Sequence, residues 1–350
     1  MTVADRMNRE QFYTRLAGLD EQRLKKALWT LYWRGTAVVR ERIEAELAPE
    51  EVVKQRVATP QVDPEVLIEV RDFVVLARAG AYLGGDRRVS PKGRTRWRFT
   101  FQRLVADAKA ALRADDPQAG CAALEQLIDL ACATRDYDYF RSEDPMEAAR
   151  FVLSEAVAVL WTATRDHRGF SEFARTASEQ LCRWESRYGW TRIGWGEVSK
   201  KETSLGSVLA TMLRAPDTWL SFAEHYLAAL DRAEPAGRDR RGADLAEWNL
   251  LLLDKLAIYE ADTLLDRLAE NRGLGGPALT HLQARLAHRR GDADRAQSLA
   301  TECLQRLPGA QEFLDFATEI GAPMPANAQR ILRERQAAGA MVMRDPPSRT

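Results

Sequence analysis

Apolar residues recur along this chain at the three- and four-residue spacing of an amphipathic helix, from Phe12 to beyond residue 330. The spacing predicts about fifteen helices, separated by short breaks that contain glycine or proline. Apolar and polar side chains alternate over residues 97–101, but this run is too short and isolated to predict a sheet, and an irregular helix start is favoured. The pattern predicts an all-α protein with no sheet.

The most regular stretch covers residues 280–308 and predicts two short helices folded back on each other at Gly291-Asp292. Such a hairpin cannot bury its own apolar face, so it needs neighbouring hairpins stacked against it. Comparable turns occur at Asp115-Asp116-Pro117 and at Arg168-Gly169, although the three offsets are unequal. These turns favour an irregular α-solenoid of stacked helical hairpins. The alternative is a compact irregular helical domain followed by a small repeat-like cap.

Residues 277–308 resemble a tetratricopeptide unit. Small residues occupy the positions where the family's two helices pack closely, at Ala284, Ala287 and Ala296. The turn at Gly291-Asp292 and the closing proline, Pro308, also match the family's positions. Thr280 departs from the family's aromatic position, and Ala300 departs from a bulky one. The resemblance covers 32 of the 350 residues, and it implies a tetratricopeptide-like C-terminal end.

Two polar, proline-containing stretches at residues 48–64 and 233–243 are predicted to be linkers. They divide the chain into a short-helix domain at residues 1–48, a central helical domain at 64–232 and a helical-repeat domain at 244–338. Residues 339–350 are predicted to be a disordered tail.

Charge and composition exclude several classes of protein. Basic and acidic residues both number 51, so the chain as a whole is not attracted to nucleic acid or to an anionic membrane. The N-terminus has no apolar signal segment, and no run is long enough to span a membrane. The four cysteines form no C-x-x-C pair and are predicted to be buried, reduced thiols. A cytoplasmic location is therefore predicted.

The sequence contains no recognisable catalytic or metal-binding motif. His281 and His288 share a helix face, but no further ligand completes a zinc site. The glycines at 273–276 resemble a dinucleotide fingerprint, but a helix rather than a strand precedes them. The acidic cluster at 136–144 lacks the spacing of a calcium loop. We therefore expect a non-catalytic protein with no cofactor and no metal.

Residues 87–103 carry seven basic and no acidic residues, together with three aromatic residues. Arginines that neutralise phosphates beside aromatic rings that stack on bases are suited to single-stranded nucleic acid. The favoured interpretation is instead a solvated basic loop whose aromatic side chains enter the core, paired with the acidic loop at 136–144. The candidate nucleic-acid contacts are Arg87, Arg88, Lys92, Arg94, Arg96, Trp97 and Arg98.

A second surface candidate is the glycine-containing segment 184–195, where Tyr188, Trp190 and Trp195 are possible partner-binding residues. Aromatic residues on such a loop are typical of protein-contact anchors. They are equally typical of plugs that close the end of a helical stack. Trp29 and Trp33, four residues apart on a helix, are predicted to lie in the core.

These patterns together predict a helical-repeat protein that acts as a protein–protein interaction module or adaptor in a cytosolic complex. A groove between stacked hairpins would hold a peptide or a partner helix. The alternative is a nucleic-acid-binding protein that uses residues 87–103. No membrane partner is expected, and the sequence makes no prediction of the oligomeric state.

Overall fold

A computed structural model describes residues 9–34, 43, 65–114, 116–134, 139–141, 144–186, 196–233 and 237–344 of the chain. This part contains sixteen α-helices and no strand, which confirms the prediction of an all-α protein without a sheet. The first eight are α1 (Arg9–Ala17), α2 (Glu21–Arg34), α3 (Glu65–Arg78), α4 (Pro91–Ala111), α5 (Gln118–Ala133), α6 (Pro145–Ala149), α7 (Leu153–Trp184) and α8 (Leu205–Met212). The others are α9 (Pro216–Arg232), α10 (Arg238–Asp244), α11 (Ala246–Ile258), α12 (Asp262–Glu270), α13 (Gly276–Arg289), α14 (Ala293–Arg306), α15 (Gln311–Glu319) and α16 (Ala326–Arg344).

The chain divides into two compact units, Met1–Val62 and Asp63–Thr350. The division falls within the polar stretch at 48–64. In the second unit, one apolar core continues from Leu67 to Leu286, on both sides of the other predicted linker. The second predicted linker, 233–243, is partly helical, because α10 begins at Arg238. The segment predicted to be a disordered tail is also partly helical, because α16 continues to Arg344.

The first unit contains α1 and α2, which are separated at the expected break around Gly18. Asp20 supplies the start signal of α2, because its Oδ1 accepts a hydrogen bond from the Arg23 amide at 2.7 Å. The sequence pattern also predicts a helix at residues 36–48, and that stretch lies outside the described residues, apart from residue 43.

The helix α4 begins earlier than the sequence pattern predicts. The charge of the segment 87–103 favours a basic loop, but Pro91 occupies the first turn of the helix and Ser90 caps it. The Ser90 Oγ accepts a hydrogen bond from the Gly93 amide at 3.0 Å. Trp97 and Phe101 lie one turn apart and are buried, whereas Phe99 faces outward, so the alternating run belongs to a regular helix.

The helix α7 is a hairpin of two helical segments joined at Gly169, as the Arg168-Gly169 turn predicts. Gly169 has φ 81° and ψ 173°, a conformation that favours glycine. The Trp161 Nε1 donates to the Gln180 Oε1 at 2.8 Å. In a straight helix these two residues would be about 28 Å apart, so the segments must fold back on each other. A left-handed residue, Arg150 (φ 50°), separates α6 from α7.

The pair α13 and α14 forms the predicted hairpin around Gly291-Asp292. Gly291 has φ 78°, and the Asp292 Oδ1 accepts a hydrogen bond from the Arg295 amide at 3.2 Å. The small residues Ala284 and Ala296 are fully buried between packed helices, so the two axes can approach closely. Further apolar contacts join this hairpin to α15 and α16 in a second, smaller core.

The start of α7 is capped by a residue far along the chain. Val152 at the N-cap position has no side-chain acceptor, and the Glu202 carboxylate accepts from the Leu153 amide at 2.6 Å and the Ser154 amide at 3.0 Å. The Ser154 hydroxyl donates to the same carboxylate at 2.6 Å. Because a helix N-terminus favours negative charge, Glu202 both satisfies amides and complements the helix dipole.

We expect Glu202→Ala to lower the free energy of unfolding by about 2 kcal/mol, because two helix amides and one hydroxyl lose a charged acceptor. Urea unfolding followed by circular dichroism measures this change. The adjacent exposed substitution Lys201→Ala is the control and should change stability by less than about 0.5 kcal/mol. Equal stability of the two variants would contradict the capping role.

Candidate functional site

The first unit exposes an unusual amount of apolar surface. Of the twelve exposed large hydrophobic side chains in the described part of the chain, six lie between residues 13 and 33: Tyr13, Leu19, Leu28, Trp29, Leu31 and Trp33. Trp29 is 59% exposed and Trp33 is 71% exposed. The prediction that these two tryptophans lie in the core is therefore wrong. Helical spacing identified an apolar face, but it did not show whether anything in the chain covers that face.

Three aromatic side chains of α2, Trp29, Tyr32 and Trp33, pack against one another. We call these three residues, together with Leu28 and Leu31, the aromatic face. The ring of Trp29 stacks on Tyr32 at 5.6 Å and on Trp33 at 5.7 Å between centroids. Stacking restricts the rotamers of the two tryptophans before any partner arrives, which lowers the entropy cost of binding. Large, ordered aromatic side chains of this kind are typical of the energetic centre of a protein interface.

The charges around the aromatic face are mostly basic. Residues 9–34 contain six basic and three acidic residues. Glu21 is paired with Lys25 at 2.6 Å, and Asp20 lies 3.8 Å from Arg23, so the acidic groups on α2 and its cap are already engaged. A partner with carboxylates around an apolar centre is therefore complementary to this face.

The second unit contains a basic cleft of about 480 Å³ beside the N-terminal end of α4. Its lining combines a glycine pair, the first turns of α4 and two residues from the segment that follows α5: Gly84, Gly85, Pro91, Arg94, Thr95, Trp97, Arg98, Arg141 and Ala148. Three of these residues are arginines, and the lining contains no acidic side chain among the described residues. We call this feature the arginine cleft.

Each arginine of the cleft is held in a different way. The Arg94 Nη1 donates to the backbone carbonyls of Asp86 and Val89 and ties the preceding turn to the helix. The Arg98 guanidinium lies 4.9 Å from the centroid of the Phe99 ring. Arg141 lies against Gly84, where an added Cβ would be 3.1 Å from the Arg141 Cζ. The cleft thus gathers charge from two segments that are distant in the sequence.

One lining residue of the arginine cleft, Trp97, belongs mainly to the aromatic core. Trp97 is only 3% exposed, and its ring stacks on Phe140 with centroids 3.8 Å apart and an interplanar angle of 7°. This stack explains why Arg141 lies beside Arg98, because Phe140 and Trp97 immediately precede them. The Trp97 indole is occupied by the core and leaves little surface for a base to stack on.

The candidate nucleic-acid residues divide into two groups. Arg94, Trp97 and Arg98 line the cleft. Arg87, Arg88, Lys92 and Arg96 are exposed and lie outside its lining. Arg88 is bound to Asp86 at 2.6 Å, and mainly this hydrogen-bonded pairing lowers the pKa of Asp86 to about 2.

Arg141 was missed by the sequence reasoning. It belongs to the acidic loop at 136–144, and no local spacing connects it with Arg98. The one available signal was Phe140, an apolar residue in a polar segment. The expected pairing of residues 87–103 with acidic groups at 136–144 involves four residues, of which Asp136, Asp138 and Glu143 lie outside the described residues. The fourth, Asp144, accepts hydrogen bonds from the Met146 and Glu147 amides at the start of α6.

The other predicted contact residues, Tyr188, Trp190 and Trp195, also lie outside the described residues. At the start of this segment, Trp184 is fully buried, and its Nε1 donates to the Asp129 Oδ1 at 2.7 Å. Trp184 is therefore a core residue that links α7 to α5.

Titratable groups elsewhere are dispersed or buried. Among the described residues, no group of three or more His, Cys, Asp or Glu side chains could hold a metal ion. All four cysteines are free thiols, and burial raises the pKa of Cys182 and of Cys303 to about 12. These thiols are protonated at neutral pH and are poor nucleophiles.

His281 on α13 is 4% exposed and packs against Phe313 at 4.8 Å and Phe316 at 5.2 Å between ring centroids. Its Nδ1 has no hydrogen-bond partner in the described part of the chain. Burial, with a smaller contribution from Arg285, lowers the pKa of His281 to about 4. Its folded-state pKa is thus below the ordinary unfolded value of about 6.5.

This difference predicts a pH dependence of stability. Below about pH 6.5 the unfolded chain binds a proton at His281, and the folded protein excludes that proton. The contribution of neutral His281 to the free energy of unfolding is therefore complete above about pH 6.5 and is lost as the pH falls towards about 4. We expect His281→Leu to reduce the stability difference between about pH 8 and about pH 5 by roughly 1–2 kcal/mol. Urea unfolding at both pH values measures it, and an unchanged difference would contradict a buried neutral histidine.

Comparison with protein-family models, with curated proteins and with solved structures finds no match for this chain. None of the described helices combines the length and apolar character needed to cross a bilayer. Function is therefore inferred from the aromatic face and the arginine cleft.

Proposed function

We propose that the protein is a non-catalytic interaction module that binds another protein through the aromatic face of α2. The observation that carries this proposal is the exposure of Trp29 and Trp33 beside Leu28 and Leu31 in one short helix. Soluble proteins rarely leave several large apolar side chains of one short helix in water, because their burial in an interface is strongly favourable. The basic surroundings favour a partner whose apolar anchor is bordered by carboxylates.

The same proposal includes an irregular α-solenoid of stacked hairpins for the second unit, tetratricopeptide-like at its C-terminal end. Three pairs of helices support it: α4 with α5, the two segments of α7, and α13 with α14. Stacked hairpins provide a rigid scaffold with a long surface, which is typical of adaptors. The cytoplasm is the proposed location, since the four free thiols are compatible with a reducing compartment.

The direct test is purification of the tagged full-length protein from its own cells, with the mass of the particle measured by light scattering. The proposal predicts a particle heavier than the 39.4 kDa chain that contains a second protein, identified by mass spectrometry. Elution as a 39.4 kDa monomer without another protein would remove its main support. Nucleic acid and lipid are measured in the same fractions, because a particle that contains either in place of protein also contradicts it.

Nucleic-acid binding through residues 87–103 has weaker support. Two of the three aromatic side chains in that segment, Trp97 and Phe101, are buried, and the Phe99 ring is left exposed. Stacking on successive bases requires several accessible rings. Of the seven basic residues of the segment, Arg94 and Arg98 line the arginine cleft together with Arg141, and a cleft of this size is better suited to a smaller ligand.

A further inference from the structure

The arginine cleft is electrically unusual for this protein. The chain has equal numbers of basic and acidic residues, and several arginines elsewhere contact a carboxylate, for example Arg103 with Glu69 at 2.8 Å and Arg183 with Glu125 at 2.6 Å. Arg98 and Arg141 have no such carboxylate partner among the described residues. Two guanidinium groups that face one cavity without a counter-ion repel each other, and a bound anion would remove that repulsion.

The backbone adds to this positive potential. The first turn of α4 contains no acidic residue and instead carries Lys92 and Arg94. Because the N-terminal end of a helix is the positive end of its dipole, these side chains destabilise the helix unless an anion is present. Of the described acidic residues near the cleft, Asp86 is bound to Arg88. Asp144 accepts from amides at the start of α6, and Glu147 accepts from the Val198 and Ser199 amides. The local charge therefore favours an anionic ligand.

The size and walls of the cleft indicate which anion fits. A volume of about 480 Å³ is larger than a bare ion requires and falls in the usual range of roughly 300–1,000 Å³ for small-molecule sites. Arginine forks match the oxygen geometry of phosphate and bind it bidentately. Pro91 and Ala148 supply apolar lining for an organic group.

We propose that the arginine cleft binds the phosphate group of a small organic phosphate, with Arg98 and Arg141 as its charged contacts and Arg94 as the residue that positions the Gly84-Gly85 turn. This site uses residues of the second unit and the aromatic face uses residues of the first, so each proposal has its own variants and its own measurement.

The test is isothermal titration calorimetry of the full-length protein with adenosine monophosphate and with adenosine, which differ by the phosphate group. We expect saturable one-site binding of the monophosphate and none of adenosine. Arg98→Gln and Arg141→Gln should each weaken binding by about tenfold or more. Arg96→Gln is the matched control, because Arg96 is exposed on the same helix, carries the same charge and does not line the cleft.

A fourth variant separates position from charge. Gly84→Val leaves the net charge unchanged, and Gly84 is outside the left-handed region, but its new side chain would displace the Arg141 guanidinium. We expect this variant to weaken monophosphate binding by about tenfold while its melting temperature without ligand stays within about 2 °C of the parent. A melting curve for every variant identifies any loss of folding.

Two results would overturn the proposal. One is the absence of monophosphate binding to the folded parent protein. The other is equal weakening by Arg96→Gln, Arg98→Gln and Arg141→Gln, with binding of a single-stranded RNA oligonucleotide that falls steeply with salt. That pattern indicates diffuse neutralisation of a polymer by the whole basic segment.

Discussion

With Trp29 and Trp33 both replaced by serine, we expect the protein to lose its bound partner while it retains its fold. Truncation of a central interface tryptophan typically costs about 2 kcal/mol or more, which corresponds to roughly 30-fold in affinity for each residue. Both side chains are largely exposed, so their removal leaves no cavity in the core. Quantitative mass spectrometry of the purified complex measures the retained partner, and circular dichroism measures the fold.

The matched control for this double variant is Ile258→Ser, because Ile258 is an equally accessible apolar residue at 65% exposure in the other unit. It should retain the partner at the level of the parent protein. Equal retention by the double variant and the parent would show that the aromatic face does not contact the partner.

Trp161→Ala should give the largest loss of stability. The Trp161 ring is fully buried between the two segments of α7, where it contacts Phe173 at 6.5 Å between centroids. Its removal leaves a large cavity and deprives the buried Gln180 of its hydrogen-bond donor. We expect a loss of about 3–5 kcal/mol in the free energy of unfolding, measured by urea unfolding.

Two further variants separate the packing of Trp161 from its hydrogen bond. Trp161→Phe keeps much of the volume but leaves the Gln180 amide unpaired, so it should cost about 1–3 kcal/mol. Adding Gln180→Leu to Trp161→Phe removes the unpaired group and should recover part of that loss. If Trp161→Ala costs less than about 1 kcal/mol, the two segments of α7 are not held together by this contact.

The helices and their turns could be predicted because their signals are local. Asp20 and Asp292 each begin a helix by accepting a hydrogen bond from the amide three residues further on. Gly169 separates two helical segments through its own backbone conformation. The start of α4 at Pro91 was mispredicted because the charge of the segment suggested a loop, although Ser90 and Pro91 are typical start residues.

The candidate surfaces could be predicted only in part, because they depend on contacts between distant residues. Arg141 and Arg98 line one cleft because Phe140 stacks on Trp97. The sequence predicts that the segment 87–103 meets the loop at 136–144, but it does not predict which residues meet. Trp29 and Trp33 follow the spacing of core residues, and spacing does not reveal whether a second layer covers them. The capping of α7 by Glu202 is likewise a long-range contact.

Photo-crosslinking tests the central claim most directly, with a benzophenone amino acid in place of Leu31 on the aromatic face and, as the control, in place of Val75 on α3. Both positions are accessible, at 60% and 66% exposure, so their intrinsic chances of reaction are similar. After irradiation of living cells, we predict a covalent adduct with a second protein from position 31 and none from position 75. Equal adducts from both positions, or adducts from position 31 that contain only lipid or nucleic acid, would contradict a protein-binding aromatic face.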